Sequence, residues 1–411
     1  MKKNILIISE VFRKGGAGNA TNNFLDFFSE FHNTKLIVPY TKIKKKNIIN
    51  YYNNFSFIIY IIYKSFNRLL SFIFTNNKFY FFNKLTNGCL FNSKKIQKKI
   101  KDFKPDLVVI LWFEYILNYK EVVKIKNQLK CEIVFIPFDM FNFTGGCRYT
   151  QSCENFKIEC NNCPALSEKF KTFAKISFIE RKKNLKEIKA KFIFPSTFAK
   201  NFAFSTEIID SDTISEIINY PTNLQSGQSY ISNNKLIENV KEVSKNKKVI
   251  FLGAQDLREW RKGMHNFINI ISILKTNYRD FFKDILIIAA GKDSSKLLED
   301  YKENSLCFEN LSLENLYNIY EISDLIIIPS LQEWSSLMMS EAASLEKTIF
   351  AFKTGSSEDL VLNNVNGYVF DPYNYNDIVK KIVSFLNNPS NFYIENRDKY
   401  FNELRNNYDK R

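Results

Sequence analysis

The sequence predicts an α/β protein made of two doubly wound parallel-sheet domains. Three observations carry that expectation. Short, continuously apolar runs recur at strand length, the pattern of parallel strands covered on both faces. Amphipathic helical stretches alternate with them, and the alternation restarts after a polar stretch at 201–247. At 411 residues the chain is also longer than one compact core usually supports.

Residues 4–9 (NILIIS) read as the first strand. Gly15, Gly16 and Gly18 follow in a loop, and then a helix through Ala20, Phe24, Phe27, Phe28 and Phe31. Strand, glycine loop and helix let backbone N–H groups approach a phosphate. A tight turn gives the same pattern, and the spacing is neither a dinucleotide fingerprint nor a P-loop. Residues 35–39 read as the second strand, and 93–103 as a basic amphipathic helix. Between them, 55–74 is a nearly apolar run long enough for a membrane span. Lys64, Asn67 and Arg68 stand in its middle, where charge is costly, so two other readings come first. One is a helix at a membrane interface or lining a groove; the other is a core helix of the first domain.

Residues 106–112 (DLVVILW), 132–137 (EIVFIP) and 191–195 (KFIFP) complete the first set of strands. After the second of these comes Asp139, and then Cys147, Cys153, Cys160 and Cys163, spaced C-x5-C-x6-C-x2-C. Such a cluster points to a structural, thiolate-bound zinc, with an iron–sulfur centre or four plain thiols as alternatives. Cys89, Cys131 and Cys307 are scattered, and a reducing cytoplasm is the default compartment. The Lys2-Lys3 start runs straight into a strand and does not resemble a secretory signal.

The expected domains are 1–215 and 216–389, with a terminal helix at 390–411 packing back toward the first. In the second domain, 248–253, 284–291 and 306–308 read as strands. Lys262-Gly263 opens a helix through Phe267, Ile270, Ile271 and Leu274, and Gly291 ends the second strand. Residues 324–371 then form the densest unit: strand, acidic loop with Glu333, helix with Glu341, strand, Gly355-Ser356-Ser357 turn, helix and strand. Ligands of open α/β sheets bind outside the carboxyl ends of strands, where Glu333 falls.

Charge adds a partner class. Residues 1–200 hold 35 Lys/Arg against 14 Asp/Glu, a net +21, which leaves 23 against 29, a net −6, for the rest. Residues 31–101 contain fourteen basic side chains and no acidic one. The first half therefore meets an anionic partner, either an acidic membrane surface or nucleic acid, unless it is simply a lysine-rich solvated face. No helix-turn-helix or aromatic ribonucleoprotein motif is present, which argues against nucleic acid.

Glu333 and Glu341 stand as E-x7-E, after Pro329-Ser330 and before Asn366-Gly367-Tyr368-Val369. With Lys262-Gly263 and the first glycine loop, this resembles the retaining GT-B glycosyltransferases of family 4, the glycosyl transferases group 1. Asp139-Met140-Phe141, Thr144-Gly145-Gly146-Cys147-Arg148-Tyr149 and the later Cys-x2-Cys-Pro are similar to a subgroup making surface glycans. The resemblance implies two Rossmann-like domains facing each other across a donor-binding cleft. The donor would be a nucleotide-diphospho-sugar, and the acceptor a glycan, lipid-linked at the cytoplasmic face of an anionic membrane.

The resemblance makes Glu333, Lys262 and Asp139 the candidate catalytic residues. Donor contacts would come from Gly15, Gly16, Gly18, Arg258, Arg261, Lys262, Gly291, Glu333, Ser335, Ser336, Leu337 and Glu341. Cations and oriented N–H groups suit a diphosphate leaving group, and a carboxylate suits a vicinal diol. No catalytic metal is expected. The chain departs from the pattern at Phe138, where the subgroup has a histidine; its only histidines are His32 and His265. A silent GT-B subunit, a nucleic-acid binder, or a phosphorylase or epimerase on the same fold are the alternatives.

Overall fold

The computed structural model describes residues 2–76, 78–82, 90–222, 224, 234–389 and 398–403. The chain divides into two compact units, Met1–Pro221 and Thr222–Arg411. The break falls six residues beyond the expected 215/216 boundary. Each unit holds one all-parallel sheet.

The N-terminal sheet comprises β1 (Asn4–Ile8), β2 (Asn33–Val38), β3 (Ile48–Asn50), β4 (Leu107–Ile110), β5 (Glu132–Phe135), β6 (Lys191–Phe194) and β7 (Ser215–Ile217). Their order is β3-β2-β1-β4-β5-β6-β7. The C-terminal sheet comprises β8 (Lys248–Asp256), β9 (Ile285–Lys292), β10 (Ser305–Phe308), β11 (Leu325–Ile328), β12 (Thr348–Phe352) and β13 (Gly367–Phe370). Their order is β10-β9-β8-β11-β12-β13. Strand order reverses between β1 and β4 and between β8 and β11, so each sheet has a switch point where a crevice opens at the carboxyl ends.

Period-two alternation sorts the C-terminal core. Ile250 and Leu252 of β8 face the helices Met264–Asn277 and Tyr375–Asn387, while Val249 and Phe251 face Leu313–Ile322 and Leu337–Ser344. Each fully buried aliphatic there contributes roughly 1.5–3 kcal/mol. The ladder joining β8 to β11 is short, with only Leu325↔Ile250 and Ile326↔Phe251 in register, against seven pairs between β8 and β9. Asp324 extends it, because the Val249 N–H donates to its Oδ2 at 2.8 Å.

The terminal segment, expected against the first domain, instead places Tyr400 and Phe401 in the core of the C-terminal unit; Leu404 and Tyr408 lie outside the described residues, as does Cys89. β3 and β7 escape a sequence reading because they are three-residue strands without a buried run. The core-helix reading of 55–74 is overturned. The helix Asn54–Phe74 buries only Tyr60 and Asn67.

Candidate functional site

Two glycines bring the loops at the C-terminal switch point together. Gly263 has φ +71, and a Cβ there would lie 1.7 Å from the Pro329 carbonyl oxygen. Only glycine lets the loop after β8 approach the end of β11 so closely. The Leu331 N–H donates to the Arg261 carbonyl at 2.7 Å and locks the approach. Gly355 has φ +57, and a Cβ there would meet the Glu333 Cβ at 2.9 Å. The Glu333 N–H donates to Thr354 Oγ1 at 3.0 Å.

The result is a compact ion cluster. Lys262 Nζ lies 2.5 Å from Glu333 Oε1, and Arg261 Nη1 lies 3.0 Å from Glu333 Oε2. Arg261 also reaches Glu259 at 2.7 Å. Burial pushes the Glu333 carboxyl upward, but Lys262 and Arg261 outweigh it and hold Glu333 below its usual range. Burial, together with Arg261, lowers Lys262. The cluster therefore keeps a firm carboxylate beside two cations, one of them reluctant.

Glu341 behaves differently. It is buried on the helix Leu337–Ser344, where Tyr320 Oη donates to its Oε2 at 2.9 Å. Burial pushes its carboxyl up to about 7. Ser336 caps that helix, accepting from the Met339 N–H, and Ser335 Oγ donates to Ser356 Oγ at 3.2 Å. Leu337 is its first residue. Arg258 does not join the cluster: it pairs with Asp256 at 2.6 Å and Asp293 at 2.9 Å. Gly291 has φ +141, and a Cβ there would lie 2.0 Å from the Ala254 carbonyl oxygen, so it serves the packing of β9 on β8.

In the N-terminal unit the expected glycine loop is already helix. The helix starts at Gly15, its Lys14 N-cap offers no side-chain hydrogen bond, and Gly16 is exposed with open space above it. Gly18 is buried, and its carbonyl accepts from the Arg13 N–H at 2.9 Å. Asp139, just past β5, is buried and accepts from the Phe141 N–H at 2.8 Å. Arg148 lies 3.7 Å from Asp139 Oδ2 but donates from Nε to both oxygens of Glu114 at 2.9 Å. Burial, then Glu114, push Asp139 up to about 8. Phe138 stacks on Phe24 at 6.1 Å and edges onto Tyr220 at 5.4 Å, so it is a packing residue. His265 likewise stacks on Trp260.

The zinc expectation is not supported. Cys147, Cys153, Cys160 and Cys163 do line one small cavity. Among the described residues, however, no group of three or more His, Cys, Asp or Glu is arranged to hold a metal ion. Burial raises all four thiols, Cys160 to about 12 and Cys163 to about 11. Other contacts hold the loop: Phe156 stacks on Phe202, the Gly145 N–H donates to Cys160 Sγ, and buried Arg181 donates to the Thr144 carbonyl at 2.6 Å.

Comparison with known proteins adds the family. Residues 233–407 match the glycosyl transferases group 1 family. The C-terminal unit thus carries a glycosyl transferases group 1 domain. A sucrose synthase from Melioribacter roseus is 29% identical over an aligned stretch of 133 residues, taking in 27% of this chain and 16% of that relative. A glycosyltransferase from Rickettsia africae superposes with TM-score 0.63 at 17% identity, covering 99% of this chain and 94% of the other. A UDP-forming α,α-trehalose-phosphate synthase from Burkholderia xenovorans gives 0.62 at 10% identity, covering 99% and 95%. Anabaena HepE in complex with UDP gives 0.57 at 12%, covering 95% and 91%. The fold is therefore GT-B.

Tyr320, Thr354, Ser356, Glu114 and Arg181 were not legible as site residues. Glu114 had a signal: it stands just past a buried strand, as Glu333 and Asp139 do.

Proposed function

We propose that the chain is a glycosyltransferase moving a sugar from a nucleotide-diphospho-sugar to a glycan acceptor. The observation that carries this reading is the convergence of Lys262 and Arg261 on Glu333 at the β8/β11 switch point, inside a glycosyl transferases group 1 domain. A diphosphate leaving group gains charge as the glycosidic bond breaks, and fixed cations stabilise that charge. Lys262 and Arg261 supply them, with Ser335 and Ser336 N–H groups at the start of the Leu337–Ser344 helix. Glu341, ionised, accepts the two ribose hydroxyls, and Glu333 accepts from the donor sugar. Solved GT-B structures with UDP bound support a nucleotide donor.

Transfer proceeds with retention in this proposal. The leaving phosphate takes the proton of the attacking hydroxyl, so Phe138 in place of a histidine is tolerated. The acceptor is a lipid-linked glycan at the cytoplasmic membrane face, in surface-glycan synthesis. The test is nucleotide release from a panel of nucleotide sugars with purified protein. Lys262→Ala is expected to lower turnover about a thousandfold, and a near-normal rate overturns the assignment. A catalytically silent subunit is the second reading, favoured by the packing role of Phe138; nucleotide binding without turnover of any donor would select it.

A further inference from the structure

The helix Asn54–Phe74 is amphipathic the wrong way round for a soluble protein. Phe55, Ile58, Ile62, Phe66, Leu69 and Ile73 recur every three or four residues and form one face. That face points outward, with Phe55 74%, Ile62 64% and Ile73 60% exposed. Tyr60, Lys64 and Asn67 point inward. Tyr60 Oη donates to Glu10 Oε1 at 2.9 Å, Lys64 pairs with the same carboxylate, and Asn67 is buried. Glu10 has no exposed side chain.

We propose that this helix lies flat in the interface of an anionic lipid bilayer, with the Phe55–Ile73 stripe among the acyl chains. By length and composition the helix is able to cross a membrane. Crossing, however, takes Tyr60 and Lys64 off Glu10 and leaves a buried carboxylate uncompensated. Lying flat keeps both contacts and still buries the stripe. Charge selects the occupant. Residues 31–101 carry fourteen basic side chains and no acidic one, and Lys42, Lys44, Lys45, Lys46, Arg68 and Lys78 are exposed. A second copy of this face brings the same positive charge against itself, and nucleic acid leaves the apolar stripe in water. An anionic bilayer satisfies both features. The proposal rests on no step of the transfer reaction.

The test is flotation of the full chain with vesicles of phosphatidylcholine alone and with about 30% phosphatidylglycerol. The protein is expected to float with the anionic vesicles and less so in high salt. Phe66→Trp is expected to emit at shorter wavelength on binding and to be quenched by brominated acyl chains. Ile62→Glu with Leu69→Glu is expected to cut the bound fraction about tenfold or more, while keeping the melting temperature and the thermal shift with UDP; Ile62→Leu is expected to float normally. Three results each overturn the proposal: no flotation at low salt, flotation in which the indole of the Phe66→Trp variant stays unquenched, or a dimer that Ile62→Glu dissociates. Lys262→Ala is expected to float like the parent, so failure of the transfer reading leaves this result intact.

Discussion

The two units place carboxylates beyond the carboxyl ends of buried strands, yet shift them in opposite directions. In the C-terminal unit Glu333 meets two cations, Lys262 and Arg261, and stays ionised. In the N-terminal unit Asp139 and Glu114 lie beside Arg148, whose bidentate face Glu114 takes, and Arg181 acts on Asp139 from further off. Asp139 is left with a proton up to about pH 8. Both acids are buried, and the surroundings decide which is charged: paired cations outweigh burial at Glu333, whereas the Glu114 carboxylate adds to burial at Asp139. The first cluster holds a carboxylate between two cations, and the second holds a proton.

Perturbing each cluster tests that difference. The largest effect after the Lys262→Ala loss is expected from Gly263→Ala. A Cβ placed 1.7 Å from the Pro329 carbonyl oxygen, at φ +71, forces the two loops apart. Thermal unfolding should show a loss of about 3 kcal/mol or no folded protein. An unchanged melting temperature would mean that the loops need no close approach. Glu333→Gln leaves Lys262 without its carboxylate, while Arg261 keeps Glu259, and is expected to cost about 3 kcal/mol at pH 7 by urea unfolding. Glu333 is lowered in the folded state, so its contribution is present above the ordinary 4.5 and lost as pH falls. The gap to Glu333→Gln should therefore close in acid.

Glu341→Gln should behave in the opposite sense. Its folded carboxyl titrates at about 7 against an ordinary 4.5, so stability falls as pH rises through that window. The neutral variant is expected to gain stability relative to the parent over the same window, and to bind UDP about tenfold more weakly by calorimetry. Asp139→Asn is the smallest change in acid. It keeps an oxygen for the Phe141 N–H, and Asp139 is raised from 3.8 to about 8, so the parent loses stability between those values. At pH 4 the two proteins should differ by less than about 1 kcal/mol, with the variant gaining steadily as pH rises. A parallel pair of pH profiles for Glu333→Gln and Asp139→Asn would break the comparison.

The buried strands were legible because continuous apolar runs have one physical use in a parallel sheet. β11 and β12 fell within a residue or two of the expected 324–329 and 348–352. Glu333 and Lys262 were legible as candidates, since they flank strand ends at glycine-marked turns. Their ion pair was not, because it depends on how Gly263 meets Pro329, 66 positions away in the chain. Glu341 was legible by spacing, but Tyr320, which tunes it, lies on a helix with no local mark. The cysteine spacing marked four thiols that line one cavity, but spacing alone does not record the convergence that a metal needs.

One consequence of the β8–β11 seam is mechanical. With two register pairs, it divides the C-terminal sheet into a leaf of β10, β9 and β8 and a leaf of β11, β12 and β13. Lys262 rides on the rim of the first leaf and Glu333 on the rim of the second, so their ion pair acts as a clasp across the shortest ladder of the sheet.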